Sequence, residues 1–419
     1  MAPAGATPRI IELAAKISTS VSELQACLSA QGIESPSFAE DSPPALPSDV
    51  HHLRDDVLDA TAELHEVLLE PLMLIYKFAG VANVVSIDSI VRFKILEMIP
   101  PGGQASFDEI AKKTNLDKRL IRRLLRYAIS MRILTEPEPD VVAHTKTSKF
   151  LAIPYIGAWV AFESHDTWPA IPRVGEAIEK WPHSEEANET AYALANGGKS
   201  VYEVLGSDPD AAMRFAGGMK SLDHVPGCGD AFVAKSYDWA SLGDAYVVNV
   251  GGQRGSVAID LAGQFENIKL LVQDSPPVIE GASSAVPDSL RERVQFMPHE
   301  LFDTQTEKAD VYFFRMILRS WGDGHAVKIL RAQIPALRPG AKILIQDAIL
   351  PGPDSDGPLW RERLLRSVDM ALKFYFNSYD RHLDEWKALL TAADKRFVLH
   401  RVLENVDSNL SFLEVHWDP

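Results

Sequence analysis

Apolar and polar positions alternate in two different ways along this chain. Over residues 8–31, Ile11, Leu13, Ala14, Ile17, Val21 and Leu24 recur at helical spacing, which predicts a helix. The stretch SPSFAEDSPPALPSD that follows is rich in Ser and Pro and reads as a loop. Helical periodicity resumes over residues 50–79 and grows almost continuously apolar at LLEPLMLIYKFAGVANVV. So broad a stripe exceeds what a solvated helix needs and predicts burial against another subunit or domain. In residues 86–150, IDSIVRFKILEMI reads as one helix and LDKRLIRRLLRYAISMRIL as another. Between them SFDEIAKKT sets Ser106 three residues before Glu109, the spacing of a capping box. VVAHTKTSKFLA follows a Pro-containing turn, so the segment has the order helix, turn, helix, wing. From about residue 240 the period shortens. DAYVVNVGG, NIKLLVQD, RVQFMP, ADVYFFRM, AKILIQDAIL, FVLHRVLEN and SFLEVHW are strand candidates, and helical stretches separate the first five. That alternation predicts an α/β domain with a mostly parallel sheet covered on both faces.

Composition narrows the partners. The 419 residues suffice for two or three domains, and 46% hydrophobic with 24% charged residues is ordinary for a globular protein. A net charge of −16 argues against a nucleic-acid partner. The cations Lys118, Arg119, Arg122, Arg123 and Arg126 are accordingly read as the wet face of a packing helix. Cys27 and Cys228 form neither a disulfide framework nor a metal-ligand spacing, so reduced thiols and no metal are expected. The N-terminal MAPAGATPRIIELAAKIS lacks the apolar core of a secretory signal, and no uninterrupted apolar run reads as long enough to span a bilayer. The expectation is a cytoplasmic protein with no membrane partner.

The sharpest local signal is YVVNVGGQRGSVAIDLAGQ, residues 246–264. A buried strand runs into Gly251, Gly252 and Gly255 and then a helix, so the backbone can turn tightly and approach a ligand. The next strand, LLVQD, ends at Asp274, about twenty residues on, where a carboxylate can accept both ribose hydroxyls of a nucleoside.

Three stretches then carry a resemblance, in order and at matching spacing: VVNVGGQRGSVAIDLAGQFENIKLLVQDSPPVIEGA, FFRMILRSWGDGHAVKILRAQIPALRPGAKILIQDAILP and NSYDRHLDEWKALLTAA. They resemble the class I S-adenosylmethionine-dependent O-methyltransferases of the two-domain plant and fungal type, over roughly residues 60–419. The resemblance implies a Rossmann-like methyltransferase domain over residues 186–419. It also implies an N-terminal α-helical winged-helix dimerisation domain over residues 1–185, and hence a homodimer. S-adenosyl-L-methionine is the implied cofactor. Gly251, Gly252 and Gly255 would shape its methionine end, and Asp274 would hold its ribose. Glu300 and Leu301 would flank the adenine, Arg315 would contact the cofactor region, and Met219 would line cofactor and substrate. Two departures stand beside the match: Asn249 where the family writes Asp, and Gln253 where it writes a further Gly.

A third departure concerns the chemistry. Where the family reads Ile-Leu-His-Asp-Trp, this chain reads Ile317, Leu318, Arg319, Ser320, Trp321. The imidazole suits removal of a phenol proton near neutral pH; a guanidinium stays protonated and cannot. The flanking acids persist as Asp347 and Asp380, where a pairing with Arg319 is natural. Three readings remain open. One is an O-methyltransferase with another base, such as His165 or His325. Another is a silent binding protein. The third, preferred here, is a site kept for a different reaction. On that reading the chain resembles the fungal methyltransferase-like pericyclases of 2-pyridone alkaloid pathways such as leporin formation. These dehydrate an alcohol and steer a hetero-Diels–Alder or Alder-ene step. Arg319 would be the electrostatic catalyst. His165, among Trp159, Phe162 and Trp168, would be its partner, with His144 and His224 as rivals and His299 read as a strand-end residue. Those aromatics, with Met370, Phe374 and Phe376, imply a bulky apolar small-molecule substrate.

Overall fold

The computed structural model describes residues 7–225, 227–405 and 408–418. The chain forms two compact units. One takes the chain up to Trp168 together with Asp208–Ser221 and Pro358–Trp360; the other takes Pro169–Ser207, Leu222–Gly357 and the chain from Arg361 onward.

In the first unit the helices Arg9–Ala30 and His51–Leu68 pack on each other. The face that is buried passes through Leu13, Ser20 and Leu28, whereas Ile11 and Val21 of the predicted stripe are exposed. The winged helix forms as its spacing predicts. Ser106 accepts from the Glu109 amide at 3.2 Å, and Glu109 accepts from the Ser106 amide at 2.7 Å, closing the capping box of the helix Phe107–Thr114. Strands β1 (Gln104–Ser106), β2 (Leu134–Glu138) and β3 (Val141–His144) make an antiparallel sheet in the order β1-β3-β2. Its cations face carboxylates of the same domain: Lys118 meets Asp108 at 2.6 Å, Arg122 meets Asp140 at 2.5 Å and Arg126 meets Glu136 at 2.9 Å. The helix Pro209–Ser221 joins this unit because it lies so close to the helix Pro154–Phe162. A Cβ on Gly217 would sit 2.5 Å from that of Ala158.

One expectation needs correcting. Residues 71–92 are, by length and composition, apolar enough to cross a bilayer. Gly80 divides the run into the helices Pro71–Ala79 and Ala82–Arg92, neither of which alone is as long as a membrane span. Leu72, Ile75, Tyr76, Phe78 and Val81 stay exposed there in the single chain.

The second unit is built on seven strands: β4 (Tyr246–Val250), β5 (Lys269–Asp274), β6 (Val294–Pro298), β7 (Val311–Arg315), β8 (Lys342–Asp347), β9 (Phe397–Leu403) and β10 (Ser411–Trp417). Their order is β6-β5-β4-β7-β8-β10-β9, parallel through β8 and antiparallel beyond it. The near-continuous apolar runs of β4 and β7 follow from cover on both faces. Alternate residues of β7 serve opposite cores. Tyr312 and Phe314 pack with Ile343 and Trp386 on one face; Val311 and Phe313 pack with Trp239 and Phe412 on the other. β10 also carries a buried carboxylate, Glu414, which meets Lys342 at 3.0 Å, Arg401 at 2.7 Å and His416 at 2.7 Å. The chain leaves β4 towards β5 on one side and β7 on the other, so the strand order switches beside β4. In such sheets ligands bind at that crevice, outside the carboxyl ends of the strands.

Candidate active site

The parallel registers pair Val250 with Gln273 and with Phe314, and Phe314 with Ile345. Gly251, Asp274, Met316 and Asp347 therefore emerge along one edge of the sheet. On that edge the backbone after β4 bends sharply. Gly251 has φ +69°, and a Cβ there would lie 2.4 Å from Ile317 Cδ1. Gly255 has φ +80°, and its Cβ would lie 2.7 Å from Phe296. Both positions demand glycine. Gln253, between them, sits at φ +51°, the left-handed region that the missing glycine would occupy without strain. Its amide donates to Asp274 Oδ2 at 2.9 Å, and the Ser275 amide donates to Oδ1 at 2.8 Å. Each carboxylate oxygen keeps a lone pair for a ribose hydroxyl. Asn249 is buried and braces the strands, donating to the Phe313 carbonyl at 3.4 Å.

On the adenine side, Glu300 is exposed and Leu301 is half-buried against the core. Arg315 directs its donors into the protein: Nε to Gln346 Oε1 at 3.1 Å, Nη2 to the Cys228 carbonyl, and Nη1 within 3.5 Å of Asp230. Met219 lies on the helix Pro209–Ser221 of the first unit. The cradle without Cβ atoms and the strand-end carboxylate fit S-adenosylmethionine. Gly251, Gly252 and Gly255 would admit its methionine portion and Asp274 its ribose.

The reaction half lies one strand over. After β7 the chain passes through Met316 at φ +55° into the short turn Leu318–Ser320. Arg319 there is buried and donates from Nη2 to Asp380 Oδ2 at 2.5 Å. Asp380 is buried as well; burial pushes its carboxyl up and the adjacent guanidinium pulls it back. A guanidinium does not release its proton, so the two form an ion pair. Asp347, at the end of β8, is fully buried; neither of its oxygens makes a hydrogen bond of good geometry, although the Arg319 backbone amide is near enough to pull its carboxyl down. Burial pushes its carboxyl up to about 7, against the opposing pull of Arg319. Asp380 thus pairs with the cation, and Asp347 is left as a group that titrates near neutrality. Arg381, which the motif reading passed over, is wholly buried. It donates to the carbonyls of Leu318 and Trp321 at 3.1 and 2.8 Å and to Asp323 at 2.9 Å, fixing the turn that carries Arg319. Nothing in YDRH announced that burial.

His165 belongs to the first unit, exposed on the π-helical turn Glu163–Thr167, where its Nε2 accepts from Arg92 at 2.8 Å. Nearby, Trp159 is exposed and Phe162 is buried edge-on to Phe215. His144 is buried between Ser148 and the Ile99 carbonyl, a packed structural histidine. His325 begins the helix after Asp323, with its ring 5.8 Å from that of Trp321. Met370 is exposed; Phe376 packs 5.7 Å from Tyr202, which itself stacks on Trp321 at 5.5 Å. Among the described residues no cluster of His, Cys, Asp and Glu has the makings of a metal site.

A seven-stranded sheet with a glycine cradle, a ribose carboxylate and a winged-helix unit defines the S-adenosylmethionine-dependent methyltransferase class. Residues 180–395 match the O-methyltransferase domain, and residues 79–153 match the O-methyltransferase dimerisation domain. The chain belongs to this O-methyltransferase family, binds S-adenosylmethionine and carries the family's dimerisation domain. It is 42% identical to the O-methyltransferase PaMT of Phomopsis amygdali, covering 97% of this chain and 96% of the relative. It is 35% identical to the O-methyltransferase kk1A of Curvularia clavata, covering 98% of each. The fold is similar to that of LepI in complex with SAM (TM-score 0.77, 20% identity, 97% of this chain and 100% of that one). It is similar also to that of OxaC (TM-score 0.78, 17% identity, 98% and 99%).

Proposed function

We propose that this protein is an S-adenosylmethionine-dependent O-methyltransferase of a bulky apolar small molecule, working as a homodimer, with Asp347 as its proton acceptor. The observation that carries this reading is the buried Asp347 carboxyl, without a hydrogen bond of good geometry and held at about 7 beside the Arg319–Asp380 pair. That value suits a general base at neutral pH and supplies what Arg319 cannot. The bound cofactor supplies an electrophilic methyl group. Asp347 would take the proton of the acceptor hydroxyl and free that oxygen's electron pair for the methyl group that bound S-adenosylmethionine would supply. Arg319, neutralised by Asp380, orders the site rather than adding a second net positive charge. The fungal relatives named as O-methyltransferases support this reading.

A second reading rests on Arg319 itself, whose buried Nε has no partner. Here the protein is a dehydratase and pericyclase. Protonated Asp347 gives its proton to the departing hydroxyl of a 2-pyridone alcohol, water leaves, the pyridone ring hydroxyl returns a proton to Asp347 to leave a neutral quinone methide, and the open guanidinium donor holds the resulting carbonyl oxygen through a hetero-Diels–Alder or Alder-ene closure. One experiment separates the two. The enzyme is incubated with S-adenosylmethionine and either a panel of phenols and alcohols or a 2-pyridone alcohol, and products are weighed by mass spectrometry. Gain of a methyl group with matching S-adenosylhomocysteine supports transfer. Loss of water with the cofactor unchanged overturns it in favour of the second reading.

A further inference from the structure

The loop from His299 to Gln305 carries Glu300 and Leu301, the adenine-side residues. It is fastened at both ends to adjacent residues of β5. At its start the His299 amide donates to the Asp274 carbonyl at 2.9 Å. At its end the side chains of Gln305 and Gln273 exchange two hydrogen bonds: Gln305 Nε2 to Gln273 Oε1 at 2.7 Å, and Gln273 Nε2 to Gln305 Oε1 at 3.0 Å. The Gln273 carbonyl meanwhile accepts from the Gly252 amide at 3.0 Å. One residue, directly before the ribose carboxylate, therefore ties the glycine turn through its main chain and the adenine loop through its side chain. Gln305 Nε2 also reaches Gln333 Oε1 at 3.2 Å, and Gln333 Nε2 donates to the Ile329 carbonyl at 3.0 Å. All three glutamines are buried, with at most 2% exposure.

Burying three primary amides is costly, and apolar side chains of like length would fill the same space. What an amide pair adds is geometry, because its donors and acceptors match in only one arrangement. We propose that Gln273 and Gln305 are positioning residues for the cofactor. Their two-way amide pair fixes where the Glu300–Leu301 loop stands relative to the Asp274 carboxylate, and so sets the affinity for the nucleoside. The proposal rests on cofactor binding alone and is independent of whether a methyl group or water is the product.

The test replaces both partners together, Gln273→Met with Gln305→Met, which keeps side-chain length and removes both halves of the pair; the Glu307 amide and Gln333 Oε1 then lose the Gln305 side chain as a partner. Binding of S-adenosylmethionine and S-adenosylhomocysteine is measured by calorimetry beside the melting temperature of the ligand-free protein. The expected result is about tenfold weaker binding of both ligands, the weight of one good hydrogen-bonded pair. Gln333→Met serves as the control, because that residue reaches the loop only through Gln305; it should lower the melting temperature and leave both dissociation constants unchanged. Wild-type affinity in the double variant overturns the proposal. So does weakening in Gln333→Met that scales with its lost stability. If the double variant does not fold, Gln305→Asn, which shortens the reach but keeps the amide, is measured below its melting temperature. Weakened binding there supports the positioning role, and unchanged affinity ends it.

Discussion

Replacing Asp347 by Asn keeps the shape of the side chain and removes its titration. In the folded protein the carboxyl lies at about 7 against an ordinary 3.8. Between those values the folded state holds a proton that the unfolded chain has released, so folding stability falls as pH rises through this window. Below about pH 4 the group is neutral in both states and the charge costs nothing. Above about pH 7 it is ionised in both, and the full burial cost of the charge is present, with a ceiling of about 4 kcal/mol. Asp347→Asn is therefore expected to match the wild type at about pH 4, to gain on it steadily, and to exceed it by about 2–4 kcal/mol at about pH 8. Urea unfolding of both proteins across this range measures the difference. A gap that is flat with pH, or an Asn variant less stable at the alkaline end, would refute the account of Asp347 as a carboxyl whose burial outweighs the pull of Arg319. The same substitution should lower turnover by about 10²- to 10⁴-fold. The wild-type pH–rate profile adds the direction. Rates that rise through about 7 mark Asp347 as a base, and rates that fall through it mark it as an acid.

Arg319→Ala leaves Asp380 buried without its cation, and a loss of about 3–5 kcal/mol in urea unfolding is expected at neutral pH; an unchanged midpoint would show that the pair does not hold the turn. Asp274→Ala removes the ribose carboxylate, and S-adenosylmethionine should bind about a hundredfold more weakly by calorimetry, from the loss of charge-assisted hydrogen bonds. Glu414 offers the opposite pH dependence. Burial pushes this carboxyl up, but His416, Lys342 and Arg401 together hold it down at about 2, below its ordinary 4.5. Its stabilisation is therefore full above about 4.5 and lost as pH falls towards 2. Glu414→Gln should cost about 1–3 kcal/mol at neutral pH, discounted because its cations are partly solvated, and the difference should vanish near the acid end.

The sequence alone determined what depends on neighbours along the chain. The central strands were legible because a strand covered on both faces is nearly continuous in apolar residues, as VYFF is and as VVNV is but for Asn249. The capping box was legible because Ser106 and Glu109 satisfy each other within one turn. The glycine turn and Asp274 were legible because a close approach excludes a Cβ and a strand end places a carboxylate. What residues far apart in the chain do to one another was not legible. Arg319, Asp347 and Asp380 come from separate segments, and only their packing decided that Asp380 takes the cation at 2.5 Å while Asp347 stays buried without a hydrogen bond of good geometry. Burial of Arg381 and of Gln273, Gln305 and Gln333 follows the same logic. A polar side chain reads as exposed until the tertiary fold supplies its partner, because desolvation is set by surroundings that no local window of sequence contains.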